Sequence, residues 1–158
     1  MKKALRQRQP SSYAFSELDV NGSGSPVLLQ RVTQSPTDMH GHADFIETVF
    51  ILEGACLHKI SAGGSSRIGA GDFFIVPKGT RHSYSDVKSL KLLNMLVRTP
   101  FMEALLEELS GMAGFKLLIA EPGFFKQSSA LSKEQLAECL EILGRLEREI
   151  WAGGDGRD

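Results

Sequence analysis

Short apolar runs separated by turn residues occupy the chain from residue 27 to residue 98. The runs are VLLQRV (27–32), FIETVFILE (45–53), ACLHKI (55–60), SRI (66–68), DFFIVP (72–77) and LKLLNMLV (90–97). Glycine, proline and serine separate them, as in NGSGSP (21–26) and PKGT (77–80). Runs of this length between such turns are typical of the strands of a β-sandwich or a small barrel. The pattern therefore predicts a mainly β domain.

After this region the apolar period becomes helical. The first predicted helix is capped by Thr99 and has Pro100 in its first turn, where a missing N–H costs nothing. A second helix is predicted from Ser132, whose hydroxyl and the Gln135 side chain can form a capping box, to about Trp151. The chain is thus expected to end in a pair of antiparallel helices that follows the strands.

The second predicted helix carries an apolar stripe at steps of three and four residues. Its members are Leu136, Cys139, Leu143, Leu146 and Ile150. This is the spacing of the a and d positions of a coiled coil, which indicates a homodimer contact. The alternative is that the stripe packs on the strands of its own chain. One helix can also do both, with one edge on its own strands and the other on a partner.

Size, charge and cysteine content narrow the class of protein. A chain of 158 residues is long enough for one domain with a single core. Lys and Arg number 18 against 19 Asp and Glu, so no general basic surface suggests direct nucleic-acid binding, although MKKALRQRQ (1–9) is a basic terminal stretch. The two cysteines indicate free thiols in a reducing compartment. No signal peptide or long apolar run is present, so we expect a soluble cytoplasmic protein with no membrane partner.

Two histidines one residue apart mark the candidate chemistry. Side chains alternate along a strand, so His40 and His42 project to the same face. Glu47 lies an odd number of residues further on, so it can join them only if the chain bends near Ala43 and Asp44. His82 follows a tight turn and opens the next strand. Imidazoles together with a carboxylate form a mixed ligand set suited to Zn, Mn, Fe, Co or Ni.

Three further polar residues lie close to this set in the strand pattern. Tyr84 shares a face with His82, and its ring and hydroxyl could line a sugar cavity, although a half-buried tyrosine is also common in a core. His58 could point inward, but a single histidine on a strand is more often satisfied locally, so it is not assigned to the site. Asn94 lies in an apolar run and is interpreted as a core hydrogen-bonding group rather than a ligand contact.

The spacing of these residues resembles that of a known superfamily. H-x-H-x4-E-x6-G at 40–54 resembles the first cupin motif, and G-x5-P-x-G-x2-H at 71–82 resembles the second. The resemblance implies a cupin barrel, that is, a double-stranded β-helix or jelly roll. It also implies that one divalent transition metal (Zn, Ni, Mn, Fe or Co) is bound by His40, His42, Glu47 and His82. One departure is Asp86, where the second motif usually ends in asparagine.

A looser resemblance covers residues 25–150. EGxxLHxI (53–60), GDFFIVPxGxxHSY (71–84), LxLLNMLV (90–97), GFxLL (114–118) and LSxEQLAECLEILGRLEREI (131–150) occur in the order found in the sensor and dimerisation domain of AraC-type transcriptional regulators. In that family the barrel binds a small effector, often a sugar, and the helices form the dimer. The implied effector contacts are His40, His42, Glu47, His82 and Tyr84. The same imidazoles could therefore serve as hydrogen-bonding groups for a polyol instead of as metal ligands.

This resemblance divides the chain into four parts. Residues 1–24 are expected to form a tail or arm, 25–99 the barrel, 100–152 the helical dimerisation segment, and 153–158 the start of a linker. The linker would lead to a helix-turn-helix domain that binds DNA and is absent from this chain. Residues 112–128 are left unassigned.

Two functions are compatible with the sequence. The first is an effector sensor that does no chemistry. The alternative is a stand-alone metal-dependent cupin enzyme of the isomerase or dioxygenase type, whose metal would act as a Lewis acid or activate oxygen. Apart from the ligand set, His58 is the only other histidine, and the helices are additional to a minimal cupin. These features favour the sensor.

Overall fold

Two long strands form the frame of the fold. The computed structural model describes residues 10–61, 64–111 and 129–152. In this part of the chain the strands are β1 (Ser12–Tyr13), β2 (Val27–Thr33), β3 (His40–His42), β4 (Phe45–Ile60), β5 (Ser65–Gly69), β6 (Asp72–Val76), β7 (Arg81–Arg98) and β8 (Ser129–Ala130). The helices are α1 (Phe15–Leu18), α2 (Thr99–Leu109) and α3 (Lys133–Ala152). The basic stretch 1–9, the connector 112–128 and the predicted linker 153–158 lie outside the described residues.

All eight of these strands belong to one mixed sheet. Strand β7 pairs with β2, β3 and β4, and β4 pairs in addition with β5 and β6, always antiparallel. Strands β1 and β3 pair in parallel, and β8 extends the sheet beyond β6. The mainly β class, with a cupin-type barrel followed by a C-terminal helix pair, was predicted from the sequence and is confirmed.

Strand β4 joins two apolar runs that the sequence separates at Gly54. Its register with β7 shifts repeatedly between Ile51 and Leu57, which marks β-bulges. Gly54 has a φ of +80°, and a Cβ atom there would collide with the carbonyl oxygens of Lys88 and Ser89. Only glycine fits this close approach without strain. The bulges let one strand curve around the core.

The first half of strand β4, from Phe45 to Ile51, is largely buried on both faces, which explains its unbroken apolar run. Val49 and Ile51 point into the barrel, where they pack with Phe74, Tyr84 and Leu92. Phe50 and Leu52 point outward and pack with residues of α3. A strand between two apolar layers cannot show the alternation of a strand that is half exposed.

Helix α3 covers the outer face of the sheet with part of its apolar stripe. Leu143 is buried against Phe50 and Leu93, and Leu136 and Cys139 pack at the same contact. Three of the five residues predicted for dimerisation therefore lie against their own barrel. Ile142 on the neighbouring edge of the helix is 51% exposed. None of the helices in the described ranges is long and apolar enough to cross a membrane.

The helix starts agree with the sequence at α3 and differ at α2. The Ser132 hydroxyl accepts from the Gln135 N–H at 3.2 Å, and the Gln135 side chain accepts from the Ser132 N–H at 2.9 Å, so the predicted capping box is confirmed. The predicted Thr99 cap is wrong. Arg98 is the N-cap and cannot cap with its side chain, because a guanidinium has no acceptor. The Thr99 Oγ1 atom is buried and has no hydrogen-bond partner among the described residues.

The segment that precedes the barrel strands contributes to the core. Phe15 of α1 is fully buried and packs with Phe45 and Leu96. Its N–H donates to the Asp44 carboxylate at 2.7 Å, and β1 pairs with β3. Residues 12–18 are therefore part of the fold, whereas the sequence predicted a tail or arm over 1–24. The signal that could have indicated this is the apolar pair Tyr13 and Phe15, which is unusual in a solvated tail.

Candidate functional site

Neighbouring strands bring the four predicted ligands together. His40 on β3 is the direct cross-strand partner of His82 on β7. His42 lies two residues further along β3, on the same face. The chain bends at residues 43–44 and returns as β4, which places Glu47 in the pairing between β6 and β7. The bend inferred from the odd step between His42 and Glu47 is therefore present.

The four side chains lie close together inside the barrel. One ring nitrogen each of His40, His42 and His82 lies within 4.8 Å of the other two. The Glu47 Oε2 atom is 3.5 Å from the His82 Nε2 atom and 3.7 Å from the His42 Nε2 atom. All four residues are buried, and His82 is only 1% exposed.

Burial keeps the whole cluster neutral near pH 7. It lowers the pKa of His42 to about 4, with a further lowering by His40, and raises the pKa of Glu47 to about 8. Burial also lowers the pKa of His40 and, more strongly, that of His82, which lies among the other imidazoles. The contacts between Glu47 and the histidines are thus contacts of a protonated carboxyl group with neutral rings, not ion pairs.

These residues fit a divalent transition metal. Three neutral imidazoles with convergent nitrogens and one adjacent carboxyl group are a common donor set for such ions. The Glu47 Oε2, His82 Nε2 and His42 Nδ1 atoms are buried, and within the described part of the chain they have no hydrogen-bond partner. Buried polar atoms are rarely left in this state, so the cluster has free donor and acceptor capacity for a ligand.

Two of the imidazoles are held in place by hydrogen bonds on their far side. The His40 Nδ1 atom lies 2.9 Å from the Asp38 carbonyl oxygen. A carbonyl oxygen only accepts, so Nδ1 carries the proton and Nε2 keeps its lone pair. The His82 Nδ1 atom lies 3.1 Å from the His58 Nε2 atom. His42 is instead stacked on Phe45, with ring centroids 4.4 Å apart.

A cavity of about 230 Å³ opens beside the cluster. Residues from β1, β2, β3, β4 and β7 line it, and its polar lining besides the four ligands comprises Tyr13, Gln30, Gln34, Thr37, Tyr84 and Asn94. The Tyr84 hydroxyl and the Asn94 side-chain oxygen are buried and lack hydrogen-bond partners among the described residues. Burial raises the pKa of Tyr84 well above its usual value. The cavity thus offers uncharged hydrogen-bonding groups to a small polar molecule.

Two residues that the sequence analysis considered and did not assign to the site belong to it. Asn94, interpreted above as a core hydrogen-bonding group, lines the cavity opposite its cross-strand partner Gln30. His58 was not assigned to the site, yet it is buried and contacts His82. For Asn94, the sequence did contain a signal. The apolar runs VLLQRV and LLNMLV each contain one amide residue, Gln30 and Asn94, and pairing of the two runs places both side chains on one face. The five residues predicted for dimerisation lie on α3, outside the cavity.

Comparison with known proteins agrees with this architecture. The AraC-like ligand binding domain family matches residues 25–150. The activator RhaS of Salmonella arizonae is 28% identical over 137 residues, which is 85% of this chain and 45% of that protein. The activator RhaR of Shigella dysenteriae is 29% identical over 110 residues, which is 70% of this chain and 36% of that protein. The chain thus spans less than half the length of these two relatives.

Similar solved structures include a cupin-2 domain containing protein from Shewanella frigidimarina, with 24% identity and a TM-score of 0.38 over 46% of this chain and 69% of that chain. Another is KdgF from a Halomonas species, with 16% identity and a TM-score of 0.42 over 47% of this chain and 72% of that chain. The extent of the family match, which covers the barrel and α3, settles the membership. The chain belongs to the family of AraC-like ligand-binding domains.

Proposed function

We propose that this domain senses a small polar effector in its barrel cavity and that a divalent metal ion at His40, His42, Glu47 and His82 forms part of the effector site. The observation that carries the proposal is the set of buried polar atoms without partners that face one region of the barrel. Such atoms cost free energy in the folded protein unless something binds them. A bound metal and effector would satisfy them.

The lining indicates an uncharged, hydroxyl-rich effector such as a sugar. Among the described residues that line the cavity there is no lysine or arginine, and the histidines are neutral. A phosphorylated sugar would therefore find no cation except a bound metal. Amide and hydroxyl groups such as those of Gln30, Tyr84 and Asn94 suit a polyol, which both donates and accepts hydrogen bonds. The cavity volume also limits the effector to a small molecule.

The enzyme alternative has weaker support from the same lining. The described titratable residues of the cavity outside the ligand set are Tyr13 and Tyr84. Burial raises the pKa of both, so neither is suited to proton transfer near neutral pH. A sensor releases its effector unchanged, and an enzyme does not. Recovery of an unaltered ligand after prolonged incubation with the metal-loaded protein is therefore expected.

A thermal-shift screen tests the effector proposal. Neutral sugars and polyols, their phosphates and sugar acids are added with and without Zn²⁺. We expect a neutral sugar to stabilise the protein, by about 2.7 kcal/mol at a concentration one hundred times its dissociation constant. Stabilisation by phosphates in the absence of metal would contradict the proposed uncharged effector. No stabilisation by any compound of these classes would contradict the proposed sensor.

Replacing Tyr84 by phenylalanine should separate binding from stability. The change removes a buried hydroxyl without a partner, so the free energy of unfolding of the ligand-free protein should be unchanged or higher. Affinity for the sugar found in the screen should fall about tenfold or more, because a hydrogen bond made only in the complex is lost. Ser85→Ala removes a hydroxyl one residue further along β7 and is the matched control. Calorimetry that gives equal affinities for wild type, Tyr84→Phe and Ser85→Ala would contradict a role of Tyr84 in binding.

For the homodimer, we propose the edge of α3 formed by Ile142, Leu146 and Ile150, which follow one another at steps of four. The sequence predicted the whole stripe as the contact, but Leu136, Cys139 and Leu143 pack on the barrel. Leu146 and Ile150 are half-buried and Ile142 is exposed in the single chain. Such an edge can continue the helix's apolar surface onto a second copy, as in a coiled coil.

Ile142→Glu should therefore convert a dimer into a folded monomer, since it would place like charges of two copies at one interface. Arg148→Glu changes the charge on the opposite side of α3 and should leave the dimer intact. Sedimentation of the wild type and both variants checks this. A wild type that stays monomeric at all concentrations, or an Ile142→Glu variant that stays dimeric, would contradict the proposed dimer edge.

As in the regulators it resembles, binding of an effector to this domain would change DNA binding by a second domain of the same protein. A regulator of this kind would act in the cytoplasm. Such coupling requires an effector that binds two states of the protein with different affinity. Contact of α3 with the outer face of β4 and β7 offers a physical link. The inner face of the same two strands carries Glu47, His82 and Asn94.

A further inference from the structure

His58 lies behind His82, on the side away from Glu47. Its Nε2 atom is 3.1 Å from the His82 Nδ1 atom, and both rings are almost fully buried. His58 stands opposite Tyr84 in the pairing of β4 with β7, while His82 stands opposite Ile60. The two histidines are thus diagonal neighbours on the inner face of the sheet, a position from which long or ring-bearing side chains meet.

The His58 ring is itself fixed by aromatic neighbours. The Phe74 ring lies against it with centroids 4.2 Å apart, and the Tyr84 ring is stacked on it at 5.4 Å. A ring held on two sides has little rotational freedom. Its nitrogen therefore presents a fixed hydrogen-bonding group to His82.

We propose that His58 is a positioning residue, which accepts the Nδ1–H of His82 and so keeps the His82 Nε2 lone pair directed toward Glu47 and His42. A neutral imidazole has one N–H and one lone pair, so the tautomer of His82 follows from what faces each nitrogen. The effect of His58 on metal affinity rests on the proposed use of His82 as a metal ligand. The hydrogen bond between the two histidines does not.

The opposite tautomer is less favourable on the geometry of the site. If His58 donated, His82 would carry its proton on Nε2, where it has no hydrogen-bond partner among the described residues. A buried N–H without an acceptor is rarer and more costly than a buried lone pair without a donor. His40 has the same arrangement, with its Nδ1 atom beside the Asp38 carbonyl oxygen. Both rings would then present Nε2 lone pairs, as metal-binding histidines held by an outer partner do.

Imidazole ¹⁵N spectra of the metal-free wild type test the hydrogen bond directly. The chain has four histidines, so their ring signals can be resolved and assigned. We expect His82 in the Nδ1–H form. The Nε2–H form at His82 would overturn the proposal, and this arm requires neither a variant nor a metal.

Two variants test the consequence for Zn²⁺ binding. His58→Phe keeps a ring between Phe74 and Tyr84 but removes the acceptor, and His58→Gln can place an amide oxygen near the former Nε2 position. We expect His58→Phe to lose the single tautomer at His82 and to bind Zn²⁺ about 10- to 100-fold more weakly. His58→Gln should restore both properties. If His58→Phe keeps the wild-type tautomer and affinity, His58 is a packing residue and the proposal fails. If the wild type binds no Zn²⁺ while His82 has the expected tautomer, the proposed metal site fails and the positioning role stands.

Discussion

Replacing His82 by alanine is expected to lower the affinity for Zn²⁺ by a factor on the order of 100 to 1,000. Binding of Zn²⁺ at four protein ligands is worth about 10–16 kcal/mol, so one ligand contributes roughly 2.5–4 kcal/mol on average. His82 lies at the centre of the cluster, beside Glu47 and opposite His40. Calorimetric titration of the metal-stripped protein measures the change, with circular dichroism and thermal unfolding as checks on folding.

Glu47→Gln is a more specific test of the metal site than His82→Ala, because it keeps the shape of the side chain and removes its acidic group. Metal binding requires the Glu47 carboxylate, and this group holds a proton at pH 7, because burial raises its pKa to about 8. Wild-type protein should therefore release about one proton per Zn²⁺ bound at pH 7. Glu47→Gln should release none and should bind more weakly. Titrations in two buffers of different ionisation enthalpy count the protons.

Glu53→Gln is the matched control for this experiment. Glu53 lies on the same strand but is exposed and paired with Lys91 at 2.9 Å. Its neutralisation should leave both the Zn²⁺ affinity and the proton count unchanged. Equal Zn²⁺ affinity in wild type and Glu47→Gln would mean that Glu47 is not a ligand, and the cavity would then be a polyol site without a working metal centre.

The stability of the metal-free protein should pass through a maximum near pH 7. Folding lowers the pKa of His42 and His58 from 6.5 to about 4, so the unfolded chain binds more protons between these values. The free energy of unfolding consequently rises with pH in that window, which His40 and His82 reinforce. Glu47 acts in the opposite direction, because its pKa rises from 4.5 to about 8 on folding.

Above about pH 7 the Glu47 contribution exceeds that of the histidines, so the free energy of unfolding should fall, by less than about 1.4 kcal/mol per pH unit, up to about pH 8. Glu47→Gln should abolish this fall, and Glu53→Gln should retain it. Urea unfolding of chelator-treated protein across this pH range measures both slopes. A wild type whose stability stays level or rises from pH 7 to 8 would contradict the assignment of a protonated, buried Glu47.

Much of the site could be predicted because it depends on local rules. His40 and His42 share a face by strand alternation alone, and the odd step to Glu47 requires the bend found at residues 43–44. The α3 capping box is likewise a matter of four consecutive residues.

What could not be predicted depends on contacts between distant parts of the chain. The contact between His58 and His82 depends on how β4 is aligned with β7. Three register shifts precede this contact along β4, and no local sequence pattern fixes the alignment after them. Asn94 faces the cavity because β2 pairs with β7 and brings Gln30 opposite. Similarly, the a/d stripe of α3 has the same spacing whether it packs on its own barrel or on a partner. Periodicity identifies an apolar face but does not identify what covers it.

Anomalous scattering from crystals soaked in Zn²⁺ tests the central claim most directly, namely that the partnerless atoms inside the barrel form a ligand site that includes a metal. The account predicts one strong peak per chain, enclosed by His40, His42 and His82 and adjacent to Glu47. It also predicts that crystals of Glu47→Gln show this peak weakened. Zinc peaks confined to surface residues, with the barrel interior empty in the wild type, would contradict the account.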